Sequence, residues 1–206
     1  MLFKLKSFLE KIDALRDKML FPFIKRYWPR MILPNHLTIA RIVLAILLIY
    51  LLLTGFQNRF WLIIIFLIAA LLDLFDGSVA RALDKKTNLG AFLDLSADKI
   101  LILPIAIYIL IKSHFLLLFF LILPEVFSGL AVIYCKITKR VIQANIFGKT
   151  KMVIECIAFA LIILFNFPNP PSQFSIILLY FGVVLAFLNV ILTFVNPPPK
   201  IHNNIE

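Results

Sequence analysis

The sequence predicts an all-α integral membrane protein with six transmembrane helices, preceded by an amphipathic helix that lies in the membrane interface. Hydrophobic residues make up 62% of the 206 residues, and the mean hydropathy is +1.00, values that a soluble domain of this size does not reach. The apolar residues form six runs, each near the roughly 20 residues that a spanning helix needs. Most basic residues stand outside these runs, in the loops, which is typical of a topology signal.

Residues 1–33 are predicted to be an N-terminal amphipathic and juxtamembrane segment. Apolar side chains recur at three- and four-residue steps through residues 2–19, with lysine and arginine between them. Such a helix is too charged to cross a bilayer and is typical of an interfacial helix. Acidic residues and further lysines follow without a small-residue cleavage site, so a cleavable signal peptide is not indicated.

The six-helix membrane domain is predicted over residues 34–196, and a cytoplasmic tail over residues 197–206. Short loops separate the spans, and Pro-rich stretches at 168–171 and 197–199 stop helices. The predicted spans are residues 37–54, 60–82, 90–112, 115–138, 150–166 and 174–195.

Charge placement predicts the orientation of these spans. Six spans put both termini on one side, and eight of the 21 lysine and arginine residues precede Met31 on that side. The loops on the opposite side hold only Arg59 and Lys112. The bias predicts a multi-pass protein of the cell (inner) membrane with cytoplasmic termini. The same placement explains the net charge of +10 as a topology signal and an attraction to anionic lipid, so nucleic-acid binding is not expected.

Four aspartates stand where the second and third spans should lie inside the membrane. Residues 73–81 read D-x-x-D-G-x-x-A-R, and residues 90–98 read G-x-x-x-D-x-x-x-D. The spacing puts each aspartate pair on one helix face. Asp73 and Asp98 each reach about 12 Å from the cytoplasmic ends of their helices, given a rise of about 1.5 Å per residue. The four carboxylates are therefore predicted to converge on one pocket that opens to the cytoplasm.

The mutual repulsion of these carboxylates indicates what they bind. Two unit charges about 4 Å apart repel by roughly 4 kcal/mol at an effective dielectric constant near 20. Either some carboxyl groups are protonated or divalent cations lie among them, and oxygen-only ligands suit a pair of Mg²⁺ or Mn²⁺ ions. The structural alternative is internal ion pairing with Arg41, Arg81 or Lys99.

These residues resemble the signature of the CDP-alcohol phosphatidyltransferase family at all eight of its fixed positions. Residues 34–41, which read P-N-x-L-T-x-x-R, and residues 148–151, which read G-K-x-K, are similar to the bacterial phosphatidylglycerophosphate synthase branch. The resemblance covers roughly residues 34–195. It implies a six-helix enzyme of phospholipid biosynthesis that acts as a homodimer.

The resemblance implies that CDP-diacylglycerol donates its phosphatidyl group to an alcohol and that CMP is released. It implies that Asp98 is the catalytic base and that it also contacts the second of two Mg²⁺ or Mn²⁺ ions. The implied metal ligands are Asp73, Asp76, Asp94 and Asp98. The implied contacts with the cytidine and pyrophosphate are Asn35, Thr38, Asp73, Gly77, Ala80, Arg81 and Gly90. The candidates for binding a phosphate on the acceptor are Arg41, Lys136, Lys149 and Lys151.

Several alternatives stay open at this stage. Glycerol 3-phosphate is the first choice of acceptor, but Pro124-Glu125 stands where synthases of that branch usually carry Arg-Glu. Phosphatidylglycerol, as in a cardiolipin synthase reaction, and inositol phosphate are the other acceptors. A divalent cation transporter is the alternative from another class, since intramembrane carboxylates also mark ion pathways. An inactive membrane scaffold is the third.

Overall fold

The computed structural model describes residues 34–82, 88–138 and 146–195, together with isolated positions between Ser7 and Arg26. Within these ranges it describes only the backbone of some residues, including residues 76, 77, 80, 81 and 88–98. Every element over the described residues is helical, which confirms the all-α class. The isolated N-terminal positions are helical as well, and Ile24 packs in a small cluster with Leu37 and Val79.

The first two helices are α1, residues Pro34–Leu53, and α2, residues Arg59–Ala82. Gly55 ends α1 with a φ of 75°, a conformation that glycine adopts without a steric penalty. The amides of Gly55 and Phe56 donate back to the carbonyls of Leu52 and Leu51, which satisfies the end of the helix. Asn58 caps α2, because its Oδ1 accepts the amide of Phe60 at 3.1 Å.

The next two helices are α3, residues Asn88–Leu110, and α4, residues Phe115–Ile137. Each contains an internal proline, Pro104 in α3 and Pro124 in α4. A proline inside a helix has no amide to donate to the carbonyl four residues earlier, so both helices are weakened near their centres.

The last two helices are α5, residues Ile146–Leu161, and α6, residues Gln173–Val195. A π-helical segment, Ile162–Asn166, continues α5 directly. The fifth helical run therefore begins four residues before the predicted span and ends with it. Ser172 precedes α6, and its Oγ accepts the amide of Ser175 at 3.4 Å.

The helices pack in two groups of three. In the first group α1 packs along α2 and along α3, and in the second α6 packs along α5 and α4. Buried leucine, isoleucine and phenylalanine side chains, such as Leu48, Phe66, Leu101 and Phe159, join the groups in one core. Large apolar side chains also cover outward faces, including Val43, Phe119 and Phe181.

Two described helices are long and apolar enough to cross a membrane, over residues Asn35–Leu53 and Gln173–Phe194. The described apolar parts of α3 and α4 cover Lys99–Leu110 and Phe115–Ala131. The apolar helices and apolar outward faces identify a membrane protein.

Candidate active site

An ion pair between α1 and α2 anchors the first predicted site residue. The Arg41 guanidinium donates to Oδ1 of Asp73, and the Arg41 side chain is completely buried while that of Asp73 is 18% exposed. Arg41 occupies a position on the inner face of α1, one turn after the buried Thr38 and one turn before the buried Ala45. A cation in this core position fits only because a carboxylate faces it.

Asp73 also lies at the edge of an apolar groove between α2 and α5. The groove has a volume of about 160 Å³. Its walls are aliphatic and sulfur-containing side chains, and its residues besides Asp73 are Leu67, Ala70, Leu71, Met152, Val153, Cys156 and Ile157. Asp73 lies at one end of a groove whose lining is almost wholly apolar, which suits the hydrocarbon tail of a ligand.

The helices place the remaining aspartates on neighbouring segments of backbone. Asp76 lies three residues after Asp73 on α2, and Asp94 and Asp98 lie on the first half of α3. Among the described residues α2 and α3 touch each other at few points, and α1 packs against both. The two aspartate-bearing helices are thus held as a pair by α1.

Several predicted site residues lie outside the described side chains. The helices include Gly77, Ala80 and Arg81 on α2 and Gly90 on α3, as backbone only. The side chains of Asp76, Asp94, Asp98 and Lys136 are outside the description as well, so their convergence stays a prediction. Asn35 and Lys149 are described and partly exposed, and Thr38 is buried.

The donor set predicted for the metal fits the cations proposed from the sequence. Carboxylates supply only oxygen, which hard divalent cations such as Mg²⁺ and Mn²⁺ prefer. The described side chains contain no group of three or more potential ligands. Asp73 is the predicted ligand whose side chain is described, and its Oδ1 accepts from Arg41.

A second group of charges, which we term the Lys99–Glu155 cluster, crosses the protein between α3 and α5. It consists of Lys99 on α3, Glu125 on α4, and Lys151 and Glu155 on α5. The Lys99 Nζ donates to the backbone oxygen of Glu125 at 2.9 Å and lies 3.7 Å from its Oε2. Lys151 donates to Oε1 of Glu125, and its Nζ lies 3.2 Å from Oε2 of Glu155.

The cluster contains two cations and two anions, and its members are partly or fully buried. Glu155 is 1% exposed and Lys151 12%. An ionised side chain at bilayer depth costs roughly 2.5–3.5 kcal/mol on insertion scales, so such groups stay inside only when they are paired. The equal numbers of opposite charges meet that requirement.

Two glycines provide the space that the cluster occupies. A Cβ at Gly182 on α6 would lie 3.2 Å from Cγ of Glu155, so a larger residue would displace that side chain. A Cβ at Gly129 on α4 would lie 3.5 Å from Nζ of Lys99, which is ordinary contact. Side chains larger than alanine at residue 129 would therefore compete with the ammonium group for the same space.

Sequence reasoning did not find this cluster as a unit. In the sequence Glu125 stands out only beside Pro124, which replaces the usual arginine. Lys151 is only a candidate for acceptor binding, and Lys99 only a possible partner of the aspartates. The available signal was the occurrence of glutamates inside apolar runs that also contain lysines, with Lys151 and Glu155 four residues apart. The partners across helices depend on helix rotation, which spacing along one helix does not define.

Comparisons with known proteins identify relatives of the chain. A family model described as CDP-alcohol phosphatidyltransferase matches residues 31–195. A protein of Bacillus subtilis (strain 168) is 31% identical over 153 residues, which cover 66% of this chain and 78% of the relative. A protein of Rickettsia bellii is 32% identical over 139 residues, covering 64% of this chain and 75% of the relative.

A third relative, from Wigglesworthia glossinidia brevipalpis, is 41% identical over 86 residues. That match covers 41% of this chain and only 47% of the relative, so it spans about half the length of that protein. All three relatives carry the name CDP-diacylglycerol–glycerol-3-phosphate 3-phosphatidyltransferase.

Proposed function

Because the chain belongs to the CDP-alcohol phosphatidyltransferase family, we propose that it transfers the phosphatidyl group of CDP-diacylglycerol to an alcohol and releases CMP. The observation that carries this proposal is the position of Asp73, a signature aspartate bound by the buried Arg41 at the edge of an apolar groove. An amphiphilic donor needs both features, since its pyrophosphate meets the charged residues while its acyl chains stay in lipid.

The groove between α2 and α5 limits how the donor is held. Apolar cavities of about 150 Å³ accept a guest of benzene size, so a groove of about 160 Å³ holds a segment of one acyl chain. The rest of both chains lies in the surrounding lipid. Asp73 at the edge of the groove then brings the carboxylate to the head of the lipid.

The chemistry is assigned to the aspartates of α2 and α3. We propose that Asp73, Asp76, Asp94 and Asp98 hold two divalent cations, Mg²⁺ or Mn²⁺. When bound, such ions neutralise charge on the pyrophosphate and in the transition state of phosphoryl transfer. Asp98 accepts the proton of the acceptor hydroxyl, whose oxygen forms the new bond to the lipid phosphorus as the bond to CMP breaks.

The proposed donor contacts lie on the same two helices and on α1. Asn35 and Thr38 on α1, with Gly77, Ala80, Arg81 and Gly90, are assigned to the cytidine and pyrophosphate. Gly77 and Ala80 are small residues, which suits a site where the substrate lies against the backbone of α2.

Glycerol 3-phosphate is the proposed acceptor, and the product is phosphatidylglycerophosphate. The names of the three relatives support this choice. The proposed phosphate contacts are Arg41, Lys136, Lys149 and Lys151. Carboxylates are described partners of Arg41 and Lys151. A phosphate that binds Lys151 shares it with Glu125 and Glu155.

The proposed setting is a homodimer in the cell (inner) membrane, with six spans and cytoplasmic termini. Residues 1–33 lie along the interface, residues 34–196 form the membrane domain and residues 197–206 extend into the cytoplasm. Apolar outward faces of α1, α4 and α6 support six spans in lipid. Light scattering in detergent measures the oligomeric state, and labelling of Lys112→Cys from the periplasmic side tests the orientation.

Detergent-solubilised protein with CDP-diacylglycerol, Mg²⁺ and a panel of acceptor alcohols tests the function. We expect Mg²⁺-dependent release of CMP with glycerol 3-phosphate, and a lipid product of the corresponding mass. Asp94→Asn and Asp98→Asn abolish it, whereas Lys112→Met, an exposed cation beyond the end of α3, leaves it unchanged. Near-wild-type turnover by either aspartate variant contradicts the assignment.

The same assay separates the alternatives. CMP release with phosphatidylglycerol or inositol phosphate, and none with glycerol 3-phosphate, identifies a different acceptor. Uptake of divalent metal into proteoliposomes without any CMP release identifies a transporter instead of an enzyme.

A further inference from the structure

We propose that Lys99 is a positioning residue, which fixes the aspartate-bearing half of α3 against α4 and so orients Asp94 and Asp98. The inference rests on the proposed function for the role of the two aspartates. Its structural basis is the pair of contacts that Lys99 makes with Glu125, through the backbone oxygen at 2.9 Å and through Oε2 at 3.7 Å.

The position of Lys99 along α3 explains why an anchor is needed there. Pro104 has no amide hydrogen for the carbonyl of Ile100, so the hydrogen-bond ladder of α3 is interrupted directly after Lys99. The segment before the interruption carries both aspartates. The missing hydrogen bond weakens α3 next to this segment, so a contact with a neighbouring helix helps to fix it.

Among the described residues α3 packs mainly on α1, and it also contacts α4. Lys99 adds a bond of defined direction to α4. A rotation of α3 that moved the aspartates would pull the Lys99 ammonium away from Glu125.

Residue 129 makes this bond possible. A helical side chain covers the turn that precedes it, so residue 129 lies over the carbonyl of Glu125, four residues earlier. Because residue 129 is glycine, the Lys99 ammonium reaches that carbonyl, and a Cβ there would lie 3.5 Å from Nζ. Alanine fits at this distance, whereas leucine would occupy the space of the ammonium group.

Binding of Mn²⁺ provides a test that does not depend on turnover. Removing a cation next to a metal site strengthens metal binding if charge alone acts. Loss of a positioning contact has the opposite sign, because misplaced ligands bind metal about 10–100-fold less tightly. The direction of the change therefore distinguishes positioning from simple electrostatics.

The experiment compares Lys99→Met with Lys112→Met, the same substitution beyond the end of α3, and Gly129→Leu with Gly129→Ala. Free Mn²⁺ is titrated by electron paramagnetic resonance, and kcat and KM are measured for wild type and variants. We expect Lys99→Met and Gly129→Leu to raise the Mn²⁺ dissociation constant about tenfold or more and to lower kcat about 10–100-fold. The KM for the donor stays within about twofold of wild type, and both controls match wild type.

Three outcomes overturn the inference. They are unchanged or tighter Mn²⁺ binding by Lys99→Met, a raised donor KM at unchanged kcat, which would mean direct substrate contact, and wild-type behaviour of Gly129→Leu. The Gly129 pair keeps the test decisive if Lys99→Met does not fold. Failure of the proposed function is seen separately, as absence of CMP release by wild type, while the Mn²⁺ titration still reports on positioning.

Discussion

The Arg41–Asp73 ion pair makes the sharpest prediction about stability. Arg41→Met removes the guanidinium but keeps an unbranched apolar side chain in the core position. The negative charge of Asp73 then no longer faces Arg41, its partner on α1. Breaking a buried ion pair from one side costs about 3–5 kcal/mol. Asp73 is 18% exposed, so water screens part of the charge and the lower end, about 3 kcal/mol, applies.

This free energy corresponds to a measurable shift in melting temperature. For chains of about 150–250 residues each kcal/mol moves the midpoint by roughly 2–4 °C, so Arg41→Met is expected to melt about 6–12 °C below wild type. Thermal unfolding in detergent, followed by fluorescence or by loss of the monodisperse chromatographic peak, measures it. Arg59→Met is the matched control, because Arg59 is exposed at the start of α2.

The double variant Arg41→Met/Asp73→Asn separates the ion pair from general packing. It removes both charges, so most of the lost stability should return, to within about 1 kcal/mol of wild type. The double variant should nevertheless release no CMP, because Asp73 is a proposed metal ligand. Equal melting of Arg41→Met and Arg59→Met would refute the reasoning, since it would mean that the pair contributes nothing to the fold.

Three further predictions concern the other charges. Gly182→Val should destabilise the protein by about 1–3 kcal/mol in thermal unfolding, because even a Cβ would lie 3.2 Å from Cγ of Glu155, while Gly182→Ala should cost less. Glu125→Ala should cost about 3 kcal/mol and Glu125→Gln less, because the amide still accepts from Lys151; equal melting of the two would contradict the ion-pair account. Chelation with EDTA should stop CMP release and added Mg²⁺ should restore it, whereas turnover that persists in EDTA would exclude the proposed divalent ions.

The helical elements could be predicted well because each depends on residues that are close together in the sequence. Apolar runs define the helices, and glycine and proline define several of their ends. Gly55 ends α1 as its sequence context suggests, and α2 begins within one residue of the predicted span. The fifth run differs because Gly148 and Lys149 interrupt the apolar sequence after Ile146 and Phe147, although the backbone of residues 146–149 is already helical.

The candidate site was predictable in part. The signature identifies Asp73 before any coordinates, and ion pairing with Arg41 was foreseen as an alternative to metal binding. The structure has that pair, so Arg41 is a partner of the signature carboxylate itself. Its role as a contact for the acceptor phosphate stays a prediction. The pattern of residues along α1 indicates neither role, because both depend on groups outside that helix.

The contacts of Glu125 with Lys99 and Lys151 could not be predicted without the tertiary structure, because the three residues lie on three different helices. The sequence names Lys99 only in the structural alternative, as a possible partner of the aspartates, and its ammonium contacts Glu125, 26 residues away. The reason is the helix itself: consecutive residues point about 100° apart, so the neighbour of Asp98 faces another element. A lysine next to an aspartate on a membrane helix therefore indicates a second partner for the cation on an adjacent helix. In this protein that partner is also the residue that holds Lys151, so one carboxylate joins the proposed metal helix to the helix proposed to receive the acceptor.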